Sequence, residues 1–134
     1  MARISWNTEL EAVVVDTVTT GRFAVSSLPT MLGTLHDAVA FSNRNRGWRL
    51  PSLEHAKTIR KHLKKINAAF RANGFPVIDR RTLLWTDEYW YLDPLQICSA
   101  VLCVYMSTGK LYEFDARERH EFRLIKELGH GTQE

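Results

Sequence analysis

The stretch GWRLPS at residues 47–52 decides the fold, because it joins two segments of helical character and fixes how the chain passes between them. Pro51 pushes Leu50 into extended geometry, so neither helix can run through this point. Ser52 is a favourable N-cap for the helix that follows. Trp48 and Leu50 are predicted to point into the core as apolar anchors. Arg49 is predicted to point the other way and to pair with a carboxylate or a carbonyl group.

Two helices are predicted on either side of this stretch. The first begins at Thr34, which can cap it, and ends at Asn45 and Gly47. The second is predicted as one long helix over residues 53–72, because apolar side chains recur there at three- and four-residue steps. The Asn-Gly pair at residues 73–74 ends it.

Strands are predicted before and after the helices. Residues 10–18 are rich in β-branched side chains, and a turn at residues 19–21 returns the chain as a second strand at 22–25. Later strands are predicted at residues 82–86, 97–106, 110–115 and 121–126, with a loop at 87–96 and a frayed tail at 129–134. This order predicts a single α+β domain over residues 1–134, with a mostly antiparallel sheet flanked by two helices.

A series of short motifs runs along residues 34–126. They are Asp37-Ala38 on the first helix, GWRLPS at residues 47–52, LWT at 84–86, Gly109 and FRLI at 122–125. In this order they resemble a bacterial family of C-type-lectin-like domains. The resemblance implies a C-type-lectin-like fold and a non-enzymatic module that binds a ligand or another protein.

The segment around residues 87–96 is the first candidate for a binding surface. Adjacent aromatic side chains outside a regular element are typical of recognition surfaces, because they bury much area with few rotatable bonds. The alternative is that the central tryptophan packs inward and the tyrosines line the rim. The acidic rim favours a basic or hydroxyl-rich partner, either a protein or a small ligand. The candidate ligand-binding residues are Tyr89, Trp90, Tyr91, Asp87, Glu88 and Asp93.

A second candidate is a basic stripe on the long helix. Residues 44–81 carry eleven basic and two acidic side chains, whereas the rest of the chain is net acidic. Such a stripe is typical of polyanion- and nucleic-acid-binding proteins and also of solvated helix faces. No aromatic residue interleaves with it, so bases have no stacking platform there. The candidate polyanion-binding residues on helix 53–72 are Lys57, Arg60, Lys61, Lys64 and Lys65.

No metal or cofactor is predicted. Only Asp93 flanks Pro94, and the Glu-Pro-Asn and Gln-Pro-Asp motifs of calcium lectins are absent, so binding is expected to be calcium-independent. Cys98 and Cys103 are five residues apart on a predicted strand, which places them on opposite faces and roughly 16 Å apart, too far for a disulfide. The C-type-lectin-like fold is shared with formylglycine-generating enzymes, which use two cysteines at this spacing with copper. That similarity leaves a copper- and oxygen-dependent enzyme as a remote alternative.

Composition bounds the class of protein. The chain has 134 residues, of which 45% are hydrophobic and 25% charged, as in ordinary globular domains. No stretch reaches 18 apolar residues, so no membrane span is predicted. The first residues contain no apolar signal sequence, which predicts a cytoplasmic protein, or an exported one whose leader had been removed.

Overall fold

The computed structural model describes residues 2–28, 30–91 and 99–129. Within them the chain is α+β, with three helices and nine strands in two sheets. The helices are α1 (Leu35–Arg44), α2 (Leu53–Lys61) and α3 (Leu63–Ala72). The strands are β1 (Arg3–Asn7), β2 (Ala12–Thr17), β3 (Gly21–Ser26), β4 (Met31–Gly33), β5 (Leu83–Tyr91), β6 (Ser99–Tyr105), β7 (Leu111–Asp115), β8 (His120–Phe122) and β9 (Ile125–Gly129). The predicted frayed tail lies outside the described residues beyond Gly129.

The first sheet has the strand order β1-β2-β3-β9 and is antiparallel throughout. The predicted N-terminal hairpin is confirmed: β2 and β3 pair in register, and Gly21 closes the turn with a φ of 70°. Such a φ is easy only for glycine. Because β9 pairs with β3, the hairpin and the last strand share one sheet, as predicted.

The second sheet has the strand order β4-β8-β5-β6-β7 and is antiparallel except for one parallel pairing between β5 and β8. The prediction of one sheet is therefore wrong, and so is the single closing strand at 121–126. The chain leaves β8 in one sheet and enters β9 in the other through Arg123 and Leu124. The buried Arg123 guanidinium donates to the carbonyl groups of Ser26 and Pro76, which holds the crossing point in the interior.

Both predicted helix starts are confirmed, but the long second helix is not. Thr34 and Ser52 each cap a helix with the side chain. The helix predicted over residues 53–72 is two helices, because the backbone of His62 departs from helical geometry (φ −111°, ψ 21°). The apolar positions keep their spacing across the break, so the sequence pattern does not reveal it.

The core consists of one large cluster and two smaller ones. The large cluster lies where the first sheet, α2 and α3 meet β5 and β6, and includes Ile59 and Phe70. A second cluster beside α1 contains Trp85 and Leu50. Leu50 is buried as predicted. Trp48 packs against the second cluster and a third one on β2 and β3, but it is only half-buried, so the prediction that it points fully into the core is wrong.

Strand β5 is longer than predicted, because it continues past Thr86 to Tyr91. The predicted loop at residues 87–96 is thus wrong for residues 87–91, while residues 92–96 lie outside the described part of the chain. In the register with β6, Trp85 pairs with Cys103 and Tyr89 with Val101, so three residues of β5 lie opposite one of β6. This bulge interrupts the alternation by which a strand is recognised in a sequence.

Candidate functional site

A wide groove, which we call the basic groove, lies along α3 and the end of α2. Its volume is about 760 Å³, within the range of protein ligand-binding clefts. Buried apolar side chains contribute to its lining, among them Leu63, Ile78 and Met106. The five basic side chains that line it are Arg60, Lys61, Lys64, Arg71 and Arg80.

The helices and the following segment place these cations around one concavity. On α2 and α3, Ile59, Leu63 and Ile66 are buried in the core, so the opposite side of each helix is left to the charged residues. Asn67 positions the other side of the groove through two hydrogen bonds of 2.8 Å. Its side-chain Nδ2 donates to the Ile78 carbonyl, and its Oδ1 accepts from the Ile78 backbone amide. This pair of bonds holds residues 77–80 beside α3.

The basic groove carries an excess of positive charge. Among the residues that the structure describes, none of its five cations has a carboxylate within ion-pair distance. The groove lining includes one carboxylate, Asp79, which contacts the Arg81 guanidinium at 3.7 Å and accepts from the Arg81 amide at 2.8 Å. Unpaired cations around a concave surface attract anions.

Arg60 reaches the groove across the turn between β6 and β7. A Cβ atom on Gly109 would lie 3.3 Å from the Cδ and Nε atoms of Arg60, so the bare glycine lets the side chain pass close to the backbone. Gly109 also has a φ of 81°, which favours glycine for a second reason. The groove edge is therefore formed by two elements about 50 residues apart in the sequence.

The structure brings together some of the predicted basic residues and separates others. Lys57 lines a neighbouring groove, and the exposed Lys65 lines neither. Sequence reasoning missed Arg71 and Arg80. The seven-residue step from Lys64 could have revealed Arg71 on the same helix face, whereas only the tertiary structure brings Arg80 to the groove.

The aromatic candidates of β5 do not form one cluster. The side chains of Tyr89 and Trp90 are 49% and 39% exposed, as befits a surface role. Neighbouring residues of a strand point to opposite faces, so Tyr89 and Trp90 lie on different sides of the second sheet. Tyr91 pairs with Ser99 in the backbone register, and Asp93 lies outside the described residues.

Tyr89 borders a smaller, more apolar cleft beside α1. This cleft has a volume of about 390 Å³ and is lined by Leu35, Val39 and Ala116 among others. Val39, an apolar side chain of α1, is 43% exposed. Exposed apolar side chains beside an exposed tyrosine are suited to contact with a partner.

Asp87 is engaged by the GWRLPS stretch. Its amide donates to the carbonyl of Pro51 at 2.9 Å, and its carboxylate accepts from Arg49 at 3.2 Å. Arg49 also donates to Glu127 and to the carbonyl of Leu50, which confirms the predicted pairing of this arginine. Burial raises the pKa of Asp87, and Arg49 opposes that shift. The neighbouring Glu88 is exposed, and its amide donates to the Thr86 hydroxyl at 3.1 Å.

A buried histidine stabilises the start of α2. The Nδ1 atom of His55 accepts from the Ser52 amide at 3.3 Å and lies 2.7 Å from the Ser52 hydroxyl, while Ser52 accepts from the His55 amide. Burial lowers the pKa of His55; Arg49 lowers it further, and Glu127 opposes them. The geometry suits the neutral ring, because a protonated Nδ1 accepts no hydrogen bond.

We expect the free energy of unfolding to fall in mild acid because of His55. The folded state lowers its pKa below the ordinary 6.5, so the unfolded chain binds the proton more tightly. The stability that the neutral ring provides is complete above pH 6.5 and is lost as the pH falls through the lowered pKa. Urea unfolding between pH 5 and 8 measures this.

His55→Gln is the control for that measurement, because glutamine is a favourable residue at this position of a capping box. Burial also lowers the pKa of His62. This residue is present in both proteins, so its contribution cancels in the comparison. The variant should lose less stability than the wild type between pH 7 and 5. Equal losses would show that His55 does not titrate in this range.

Cys103 is fully buried and free of a disulfide. Burial raises the pKa of its thiol, and Glu121 and Glu118 raise it further, so the thiolate is strongly disfavoured. Copper binds the thiolate, which makes Cys103 a poor ligand in this setting. Cys98, the other cysteine, lies outside the described residues.

Neither a metal cluster nor a spanning helix is found in the described residues. Within residues 2–28, 30–91 and 99–129, no group of three or more His, Cys, Asp and Glu side chains could hold a metal ion. The same part of the chain contains no helix long and apolar enough to cross a membrane.

Comparison of the chain with models of known protein families, with curated proteins and with solved structures finds no match. The site is therefore interpreted from its own geometry and charge.

Proposed function

We propose that this protein is a non-enzymatic binding module and that the basic groove binds a phosphate-rich polyanion. The observation that carries the proposal is the convergence of five cations without carboxylate partners among the described residues. Contacts from lysine and arginine to phosphate groups supply most of the affinity in sequence-independent nucleic-acid binding. Among the residues that the structure describes, the groove lining contains no aromatic side chain, so contacts are expected to be to the phosphate backbone and not to bases.

We further propose that the fold is C-type-lectin-like. The support is topological: the N-terminal strands and the last strand share one sheet, and the helices and the second sheet lie between them in sequence. The GWRLPS stretch joins α1 to α2 and bridges to β9 through paired amide and carbonyl bonds of 2.8 Å between Arg49 and Ile125. In that case polyanion binding along α2 and α3 would be a function that the family resemblance does not imply.

A second candidate site is the surface around β5, where Tyr89 borders the apolar cleft beside α1. The specific observations are the exposure of Tyr89 and Val39, which line this cleft, and of Trp90 on the opposite side of the sheet. Such a surface suits a protein or a hydroxyl-rich small ligand, bound without calcium. The acidic side chain of Asp87 is held by Arg49, so it contributes less negative charge to this surface than the sequence indicates.

The test is binding of a fluorescein-labelled oligothymidylate of twelve residues, measured by fluorescence anisotropy at low ionic strength. Lys64→Glu with Arg71→Glu should weaken binding roughly thirtyfold, since an exposed ion pair with a phosphate is worth about 1 kcal/mol. The slope of affinity against salt should also decrease, by about 0.7 for each phosphate that is no longer neutralised.

The matched control is Lys65→Glu with Arg46→Glu, which changes the net charge equally at two exposed residues outside the groove. We expect less than a threefold loss for this control. Equal losses in both double variants would contradict a site in the groove. If Trp90→Ala or Tyr89→Ala abolishes binding while the groove variant binds normally, the site is the surface around β5.

A further inference from the structure

A second groove lies on the other side of the α2 terminus, and it shares one residue with the basic groove. Its volume is about 490 Å³, and Lys57, Thr58, Lys61 and His62 from α2 and its end line one side. The turn between β2 and β3 supplies the other side, including Thr19. We call it the threonine groove. Lys61 lines both grooves, so they meet at this side chain.

We infer that the ligand is a linear polyanion that runs from the basic groove over Lys61 into the threonine groove. This inference rests on the proposed function and names its ligand class. A small anion would fill one groove only. A chain of phosphates can occupy both at once, because the boundary between them is an exposed cation and not a wall.

The spacing of the cations fits a polymer. Lys57 and Lys61 are four residues apart on α2, and Lys64 and Arg71 are seven residues apart on α3, spacings that keep the two side chains of each pair on one side of their helix. A rise of about 1.5 Å per residue places the first pair about 6 Å apart along α2 and the second pair about 10.5 Å apart along α3. The two pairs lie on either side of the break at His62, so the track has two segments, which a flexible chain of phosphates can follow.

The charges that line the threonine groove attract a polyanion at the His62 end and repel it at the Glu54 end. Burial is the main cause that lowers the pKa of His62, and the nearby charges of Lys61 and Lys65 lower it further. Glu54, on the first turn of α2, is the one carboxylate among the described residues that line this groove. The polyanion is therefore expected to enter beside His62 and Lys57 and to stop short of Glu54.

Oligothymidylates of four and twelve residues test the inference, since only the longer one can span both grooves. The longer oligomer should bind more than thirtyfold tighter, which exceeds the roughly ninefold gain from its overlapping four-residue registers. Lys57→Gln should weaken the twelve-residue oligomer about fivefold and leave the four-residue one unchanged. Lys64→Gln should weaken both, and Lys65→Gln, outside both grooves, should weaken neither.

Two further measurements, one spectroscopic and one of affinity, extend the test. The ring resonances of His62 should shift when the twelve-residue oligomer is added and not with the four-residue one. Glu54→Gln should tighten binding of the longer oligomer only. Inorganic polyphosphate and unlabelled twelve-residue oligothymidylate are compared as competitors at equal phosphate concentration. Equal competition indicates that the protein recognises phosphates alone, and weaker competition by polyphosphate indicates that it prefers nucleic acid.

The outcomes separate the two proposals. If Lys64→Gln weakens both oligomers while Lys57→Gln weakens neither, the basic groove binds a short anion and the linear track is wrong. If neither oligomer binds, or Lys64→Gln has no effect on either, the proposed function itself is wrong.

Discussion

Replacement of Arg123 by alanine should lower the free energy of unfolding by about 3–5 kcal/mol. The side chain is 2% exposed, and its guanidinium donates to the Ser26 carbonyl at 2.8 Å, the Thr30 hydroxyl at 3.2 Å and the Pro76 carbonyl at 3.1 Å. It also lies 4.5 Å from the centre of the Phe70 ring. Alanine would leave a cavity and a buried carbonyl at Ser26 without its donor.

Among the described residues, no carboxylate neutralises the Arg123 cation. The free energy of desolvating the guanidinium therefore opposes the gain from its hydrogen bonds. Burial lowers the pKa of Arg123 to about 10, yet the group stays charged at neutral pH. Arg123→Lys should be intermediate, because one ammonium group cannot reach three acceptors in the fork geometry of a guanidinium. Urea unfolding measures both variants, with the exposed Arg119→Ala as the control. A loss below about 1 kcal/mol would show that desolvation of the cation cancels its hydrogen bonds.

The part of the fold that could be predicted from the sequence is the part set by near neighbours. Thr34 and Ser52 cap their helices through residues three positions away, and Gly21 closes a turn between two adjacent strands. These interactions join residues that are only a few positions apart, so the residue types at those positions predict the helix starts and the turn.

Two of the errors depend on partners distant in sequence. The bulge in β5 is set by pairing with β6, where the Thr86 hydroxyl donates to the carbonyl of Leu102 at 2.9 Å. The division of the closing strand depends on acceptors about 47 and 97 residues from Arg123. The break at His62 leaves the apolar spacing unchanged. No periodicity within a segment carries such information.

The candidate sites show the same division. The basic face of the helices followed from helical spacing, but its concavity depends on Arg80 and on the bonds between Asn67 and Ile78. In the opposite sense, Tyr89, Trp90 and Tyr91 are adjacent in sequence, and the strand alternation separates Tyr89 from Trp90. The sequence therefore predicted an aromatic cluster on β5 that does not form. It did not reveal Arg80, because this residue reaches the basic groove only in the folded chain.

Replacement of Trp85 by alanine should also lower the free energy of unfolding by about 3–5 kcal/mol. The side chain is fully buried, and its indole Nε1 donates to the Gly33 carbonyl at 2.9 Å. Trp85→Phe should cost about 1–3 kcal/mol, because it keeps an aromatic ring but leaves that buried carbonyl without a donor. The measurement is urea unfolding followed by circular dichroism.

Trp90→Ala is the matched control, because it removes the same side chain from the same strand beyond the bulge. Trp90 is 39% exposed, so its loss should cost about 1–2 kcal/mol, clearly less than Trp85→Ala. This difference would place the boundary between the buried and the exposed halves of β5 at the bulge. If Trp90→Ala unfolds the protein as readily, Trp90 is part of the core, and the second candidate site is reduced to Tyr89 and the cleft beside α1.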